Sequence, residues 1–183
     1  MLINRDVVST IKQFKHECKK VNSPIRKQIE LDYNNRQMTD LLDMYFTVVT
    51  AQSYGPTMEK LYIRENGYTK VPAKEDRGDY RKPNDDYEEY KFTFPNGENK
   101  HQYNFVQIRP WQDLAAYVFE VCSDDHGWFR FRIPKKSMED ILLDHASLAH
   151  GTIETNKNEK KELALRGRIG DSLWQKLLEY KED

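Results

Sequence analysis

The segment Tyr87–Phe94, YEEYKFTF, sets two glutamates one residue away from a lysine. In an extended chain successive side chains alternate, so Tyr87, Glu89, Lys91 and Thr93 share one face while Glu88, Tyr90, Phe92 and Phe94 take the other. Asp79 precedes Glu89 by ten residues, across the polar turn Lys82–Asp86. If the chain folds back through that turn, the Asp79 carboxylate arrives beside Glu89. Two ionised carboxylates held together in a cleft are costly unless a cation lies between them. A hard divalent ion such as Mg²⁺ takes oxygen ligands, keeps several waters and is held by one or two carboxylates plus phosphate oxygens of a substrate. Lys91 then adds a positive charge able to orient or deprotonate a water, or to stabilise a developing pentacovalent phosphorus. The group of residues fits phosphodiester hydrolysis. Glu-x-Lys by itself assigns nothing, because it recurs at Glu17-Cys18-Lys19, Glu159-Lys160-Lys161 and Glu179-Tyr180-Lys181, in segments that read as solvated helix or loop.

The elements that must position these residues are legible in the hydrophobic spacing. Val7, Ile11, Phe14 and Cys18 recur at helical intervals, and Thr39 is placed to cap a largely buried helix through Leu41, Leu42, Tyr45, Phe46, Val48 and Val49. Gly55-Pro56 predicts a break and a new helix over TMEKLYIREN, ended by Gly67. From residue 68 the period changes to two. Strands are predicted at Tyr68–Val71, around Asp79, at Tyr87–Phe94, at Ala116–Cys122 and at Trp128–Ile133, the last two joined as a hairpin by Asp125-His126-Gly127. His101–Asp113 is open between a crossover helix and an extended stretch. A helix is predicted after Pro134, with Met138, Ile141, Leu142 and Ala146 on one face. An exposed loop over 151–161 and a helix from near Asp171 through Leu173, Trp174, Leu177 and Leu178 complete the chain. Helices, then sheet, then helices predict one mixed α/β domain over 1–183: a helical element (1–52), a core (53–152), and a loop with a final helix (153–183).

Composition bounds the rest. A chain of 183 residues with 11 tyrosines, 8 phenylalanines and 3 tryptophans can build a real core. Cys18 and Cys122 lie far apart and form no Cys-x-x-Cys, which excludes a disulfide framework and leaves any metal to oxygen ligands. No run of 18 apolar residues exists, and MLINRDVVSTIKQFKHECKK lacks the apolar segment and cleavage site of a signal peptide, so no membrane association and a cytoplasmic location are expected. The net charge of −1 gives no global pull toward a polyanion. Local basic clusters do occur, at Lys12 to Lys20, at Arg77, Arg81 and Lys82, at Arg130 to Lys136, and at Lys157, Lys160 and Lys161. Each is either a solvated face or a place for phosphates.

Gly78-Asp79 followed by Glu89-Tyr90-Lys91 resembles the PD-(D/E)xK signature of the nuclease superfamily that includes type II restriction endonucleases, with Gly78 in place of the first proline. The resemblance runs from about Tyr54 to Thr152 and takes in YGPTMEKLYIRENGYTKVPAKEDRGDY, FVQIRPWQD and SLAHGT. It implies a restriction-endonuclease-like central mixed sheet flanked by helices. It implies that Asp79 and Glu89 bind Mg²⁺, that Tyr90 offers the ion its backbone carbonyl, that Glu59 completes the metal site from the preceding helix, and that Lys91 assists the water. Gln107, Arg109 and Gln112 lie where such nucleases carry a glutamine-containing helix, although Gln107 to Trp111 only approximates Gln-x-x-x-Tyr and a structural role is the alternative. His150-Gly151-Thr152 would contact DNA or cap a helix.

The expectation is therefore a site-specific, Mg²⁺-dependent endonuclease acting on double-stranded DNA as a homodimer, since one such chain reaches one scissile phosphate. Two alternatives stand beside it. One is the catalytic subunit of a heteromeric restriction enzyme, and the other is a non-catalytic nucleic-acid-binding module whose Glu-x-Lys strand is an exposed ion-pair ladder.

Overall fold

The computed structural model describes residues 5–72, 74–95, 101–123, 125–149 and 161–182. The chain forms two compact units, Met1–Leu61 and Tyr62–Asp183, whose boundary falls inside a helix.

The first unit is helical: α1 (Arg5–Lys19), α2 (Pro24–Asn34), α3 (Asp40–Val48) and the first part of α4 (Ala51–Glu65). Thr39 caps α3 as expected. Its hydroxyl oxygen accepts from the Leu42 N–H at 3.2 Å while donating to the buried Asp32 carboxylate at 2.6 Å. Phe14 and Cys18 of α1 are buried with Ile29, Tyr33, Leu42 and Phe46, and Phe46 meets Tyr54 edge to face at 5.2 Å. Val7 and Ile11, at helical spacing from Phe14 and Cys18 on the same helix, are 52% and 37% exposed. The expected break at Gly55-Pro56 is also absent, because α4 runs through it. The chain turns earlier, at Val49, which is extended, and the Thr50 carbonyl accepts from Ser53 and Tyr54 to start α4. Pro56 removes only the bond to Gln52 in the second turn, where both residues are exposed and water can serve that carbonyl.

The second unit holds two sheets. The larger is a mixed six-stranded sheet in the order β1 (Thr69–Lys70), β2 (Tyr80–Arg81), β3 (Tyr87–Thr93), β5 (Ala116–Ser123), β6 (Gly127–Pro134), β9 (Lys181–Glu182). Strands β3 and β5 are parallel and the other pairs antiparallel. Every residue of β5 is buried, as its apolar run requires of a central strand. The expected β5–β6 hairpin is present, with Ser123 opposite Gly127. A mixed α+β architecture is thus what the alternation and helical spacing led to.

The segment left open, His101–Asp113, supplies β4 (Gln102–Ile108). With β8 (Leu163–Arg168) and β7 (Ala146–Leu148) it makes a second, three-stranded antiparallel sheet in the order β4-β8-β7. Tyr103, Phe105 and Leu165 face the core, where Phe105 stacks on Phe119 at 4.2 Å and Tyr103 meets Trp174 at 5.4 Å. Helix α5 (Lys135–His145) buries Met138, Ile141 and Leu142, and Ala146 opens β7 rather than extending the helix. Helix α6 (Ser172–Leu178) starts as expected, the Asp171 carboxylate accepting from the Trp174 N–H at 2.8 Å. The loop expected over 151–161, with His150, Gly151, Thr152, Lys157 and Lys160, lies outside the described residues except for the exposed Lys161. Among the described residues no helix is long and apolar enough to cross a membrane.

Candidate functional site

The turn Lys82–Asp86 closes the β2–β3 hairpin. Lys82 N–H donates to the Asp86 carbonyl and Asp85 N–H to Lys82, both near 3.0 Å, and Asp85 takes a positive φ of 65°. Tyr80 pairs with Glu88 and Arg81 with Tyr87, so the chain does fold back and Asp79, one residue before β2, arrives beside β3. Its N–H donates to the Glu88 carbonyl at 2.9 Å. Gly78 makes that approach possible. It adopts φ 89°, and a Cβ there would lie 2.6 Å from the Glu88 carbonyl oxygen, inside any real contact. A proline, locked near φ −65°, could not follow this path.

Asp79 is held from the strand itself. Its Oδ2 accepts from the Tyr90 N–H at 2.9 Å, and the Lys70 ammonium stands 4.0 Å from its Oδ1. A residue's N–H and C=O leave an extended strand on the same edge, so the Tyr90 carbonyl is aimed toward the edge where Asp79 sits. The Tyr90 side chain goes to the other face, as expected. It stacks on Tyr62 at 4.7 Å and donates to Glu120 at 2.6 Å.

Glu89 is 2% exposed and bonded to the Lys91 ammonium. Burial pushes its carboxyl up from the usual range; the Lys91 charge opposes this, the Asp79 charge adds to it, and Arg109 opposes it more weakly. Asp79, Glu89 and Lys91 are therefore brought together in one electrostatic group, Tyr90 contributing backbone. Glu59 lies half-buried on α4, in the first compact unit.

One neighbour, Tyr117, is not legible as a site residue in the sequence. Tyr117 stands opposite Glu89 in the parallel register, buried, and donates its hydroxyl to the Arg109 carbonyl at 3.2 Å. Burial and the Glu89 charge both push the pKa of its hydroxyl up and so keep it protonated. The Arg109 guanidinium bonds Glu162 at 2.9 Å. Burial works against its charge, but Glu162, Glu89 and Asp79 outweigh that and keep it protonated. A parallel register is a long-range pairing, and no local spacing announces it. Gln107 sits exposed at positive φ 57° in the β-bulge of β4, and Gln112 is buried, its N–H on the Arg109 carbonyl.

The opposite face of β3 is a different environment. Glu88 accepts from the Tyr80 hydroxyl at 2.6 Å, from Lys82 at 3.3 Å and from Arg132. Glu120 accepts from Tyr90, from Trp128 and from Arg130 at 3.4 Å. These two carboxylates are fully occupied in holding the sheet together.

The donor set on the Asp79 side is all hard oxygen, two carboxylates and one aimed carbonyl, which fits a Mg²⁺-type ion that keeps waters and shares phosphate oxygens. Among the described residues no cluster of three or more acidic, histidine or cysteine side chains is placed to hold a metal. Compared with known proteins, the chain matches no family model and no curated protein.

Proposed function

We propose that this chain is a Mg²⁺-dependent endonuclease of the PD-(D/E)xK kind, with a restriction-endonuclease-like core, that hydrolyses phosphodiester bonds in double-stranded DNA at a specific site. The single observation that carries this reading is the hairpin that sets Asp79 beside the buried Glu89, with the Lys91 ammonium bonded to the same carboxylate. Burial without a full complement of donors is an expensive way to keep a carboxylate. It is a reasonable one where a cation is to be held.

In the proposed site Asp79, Glu89 and the Tyr90 carbonyl would hold the ion. When bound, Mg²⁺ supplies charge neutralisation at the phosphate and acidifies a water. The Tyr90 N–H fixes the Asp79 carboxylate in place. Lys91, beside Glu89 on the same strand face, would orient the attacking water and steady negative charge on the phosphorus oxygens. The Arg109 guanidinium, bonded to Glu162, adds positive charge near Glu89 and Asp79.

Cleavage of both strands calls for two such sites, and a symmetric homodimer supplies them. Exposed Val7, Val8 and Ile11 along α1 favour a protein contact there. A cytoplasmic location belongs to this reading. The test is plasmid cleavage with Mg²⁺ by the protein alone. Wild type is expected to nick and linearise the plasmid, and Asp79→Ala and Lys91→Ala to lose about a thousandfold in rate. Either variant cutting at the wild-type rate overturns the assignment, and cleavage only with a second chain present transfers it to a heteromeric enzyme.

A further inference from the structure

The exposed face of the second sheet carries a pattern that catalysis does not use. Alternation buries Tyr103, Phe105 and Leu165 and turns Gln102, Asn104, Arg166 and Arg168 outward. The register sets Gln102 opposite Arg168 and Asn104 opposite Arg166, so the four form two adjacent cross-strand pairs on one antiparallel ribbon. Arg166 is laid across the sheet, its Nε donating to Asn104 Oδ1 at 3.3 Å and its Nη1 to the Ser147 hydroxyl at 3.4 Å.

Gly167 keeps the ribbon in this shape. A Cβ there would fall 2.4 Å from the Tyr103 hydroxyl and 2.9 Å from Asp171, so only glycine lets β8 pass this close with an arginine on each side. No residue of β4, β7 or β8 is acidic, in a chain where 30 of 183 are. An ordinary solvated face of this chain would mix both signs. Among the described residues that line the adjoining cleft the acidic one is Asp171, and its carboxylate accepts from the N–H groups of Arg168 and Trp174.

The same face opens into a cleft of about 630 Å³ whose lining includes Thr93, Asn104, Arg166 and Arg168. Thr93 follows Lys91 by two residues on β3, a step of about 7 Å along one face of an extended strand. The cleft thus adjoins the proposed reaction centre, within the same compact unit.

We propose that the β4–β8–β7 sheet is the base-reading surface of the enzyme, entering the major groove of duplex DNA with Gln102, Asn104, Arg166 and Arg168 toward base edges. The inference rests on the nuclease reading for its substrate. The major groove admits a two-stranded ribbon, and arginine to guanine with asparagine or glutamine to adenine are the pairings whose donor and acceptor geometry matches two points on one base. A phosphate-binding face would need charge alone. Amides paired with guanidinium groups are what purine discrimination needs.

The test is selection of bound duplexes from a pool with a randomised central segment, in Ca²⁺ so that binding is read apart from cleavage, using the full chain. Wild type is expected to enrich one sequence. Asn104→Ala and Arg166→Ala are each expected to lower preference for that sequence over random duplex by roughly ten- to a hundredfold, with melting temperatures near wild type. Gln102→Ala, on the outermost pair, gives the same readout should either of the first two fail to fold. Variants that fold and enrich the wild-type sequence with undiminished preference overturn the proposal, as does a wild type that enriches none. Plasmid cleavage with Mg²⁺ separates the two readings: cleavage with unchanged sequence preference in the variants rejects the sheet and leaves the nuclease, whereas sheet-dependent selection without cleavage rejects the nuclease and keeps the sheet.

Discussion

Strand β3 presents glutamates to both of its faces, and the two faces treat them in opposite ways. Glu88 and Glu120 are buried on one side among two tyrosines, a tryptophan, two arginines and a lysine that satisfy their oxygens. Glu89 is buried on the other with one ammonium partner and a second carboxylate nearby, and its carboxyl is pushed up. The lesson is that burial of a carboxylate is uninformative until its donors are counted. A saturated one serves the sheet, and an undersupplied one next to another acid is what the proposed cation site would use.

This contrast can be broken most decisively at Glu89. Glu89→Gln is expected to reduce Mg²⁺-dependent plasmid cleavage about a thousandfold, while thermal unfolding shifts by under about 1 kcal/mol because a poorly compensated buried charge is removed. The converse holds at Glu88. Glu88→Ala is expected to destabilise the protein by about 3 kcal/mol, read by denaturant unfolding, since Arg132 and the Tyr80 hydroxyl lose a buried partner. A Glu88 variant that is as stable as wild type would erase the distinction between the faces.

A pH titration sharpens it. The folded protein holds the Glu89 proton more tightly than the unfolded chain, so in EDTA this group's contribution to stability is complete below the ordinary carboxylate range. It is lost as pH rises through the raised value. Glu89→Gln is expected to remove that downward slope, measured as unfolding free energy against pH. The smallest effect belongs to Lys82, the outermost partner of Glu88 at 3.3 Å. Lys82→Ala is expected to cost about 1 kcal/mol or less in the same unfolding measurement, because Tyr80 and Arg132 remain on the carboxylate.

Much of this molecule was legible in local pattern. The Thr39 and Asp171 caps, the β5–β6 hairpin and the two faces of Tyr87–Phe94 follow from rules that act within a few residues. Local rules give way where they compete with tertiary packing. Gly55-Pro56 predicts a break and a helix start, yet α4 carries Pro56 at the cost of one exposed carbonyl. The second sheet was missed because β4 and β8 are separated by more than fifty residues of sequence, and the bulge at Phe105–Ile108 interrupts the alternation that would have marked β4.

By itself the sequence determined which side chains were available for chemistry and which neighbours each would share a strand face with, because a period of two is a property of the extended backbone. Only the tertiary structure decided that Asp79 meets Glu89, that Tyr117 lies opposite it, and that two distant segments form a ribbon of amides and guanidinium groups. Those are pairings across sequence separation, fixed by hydrogen-bond register and by the clearance that Gly78 and Gly167 leave, and no window of the chain contains them.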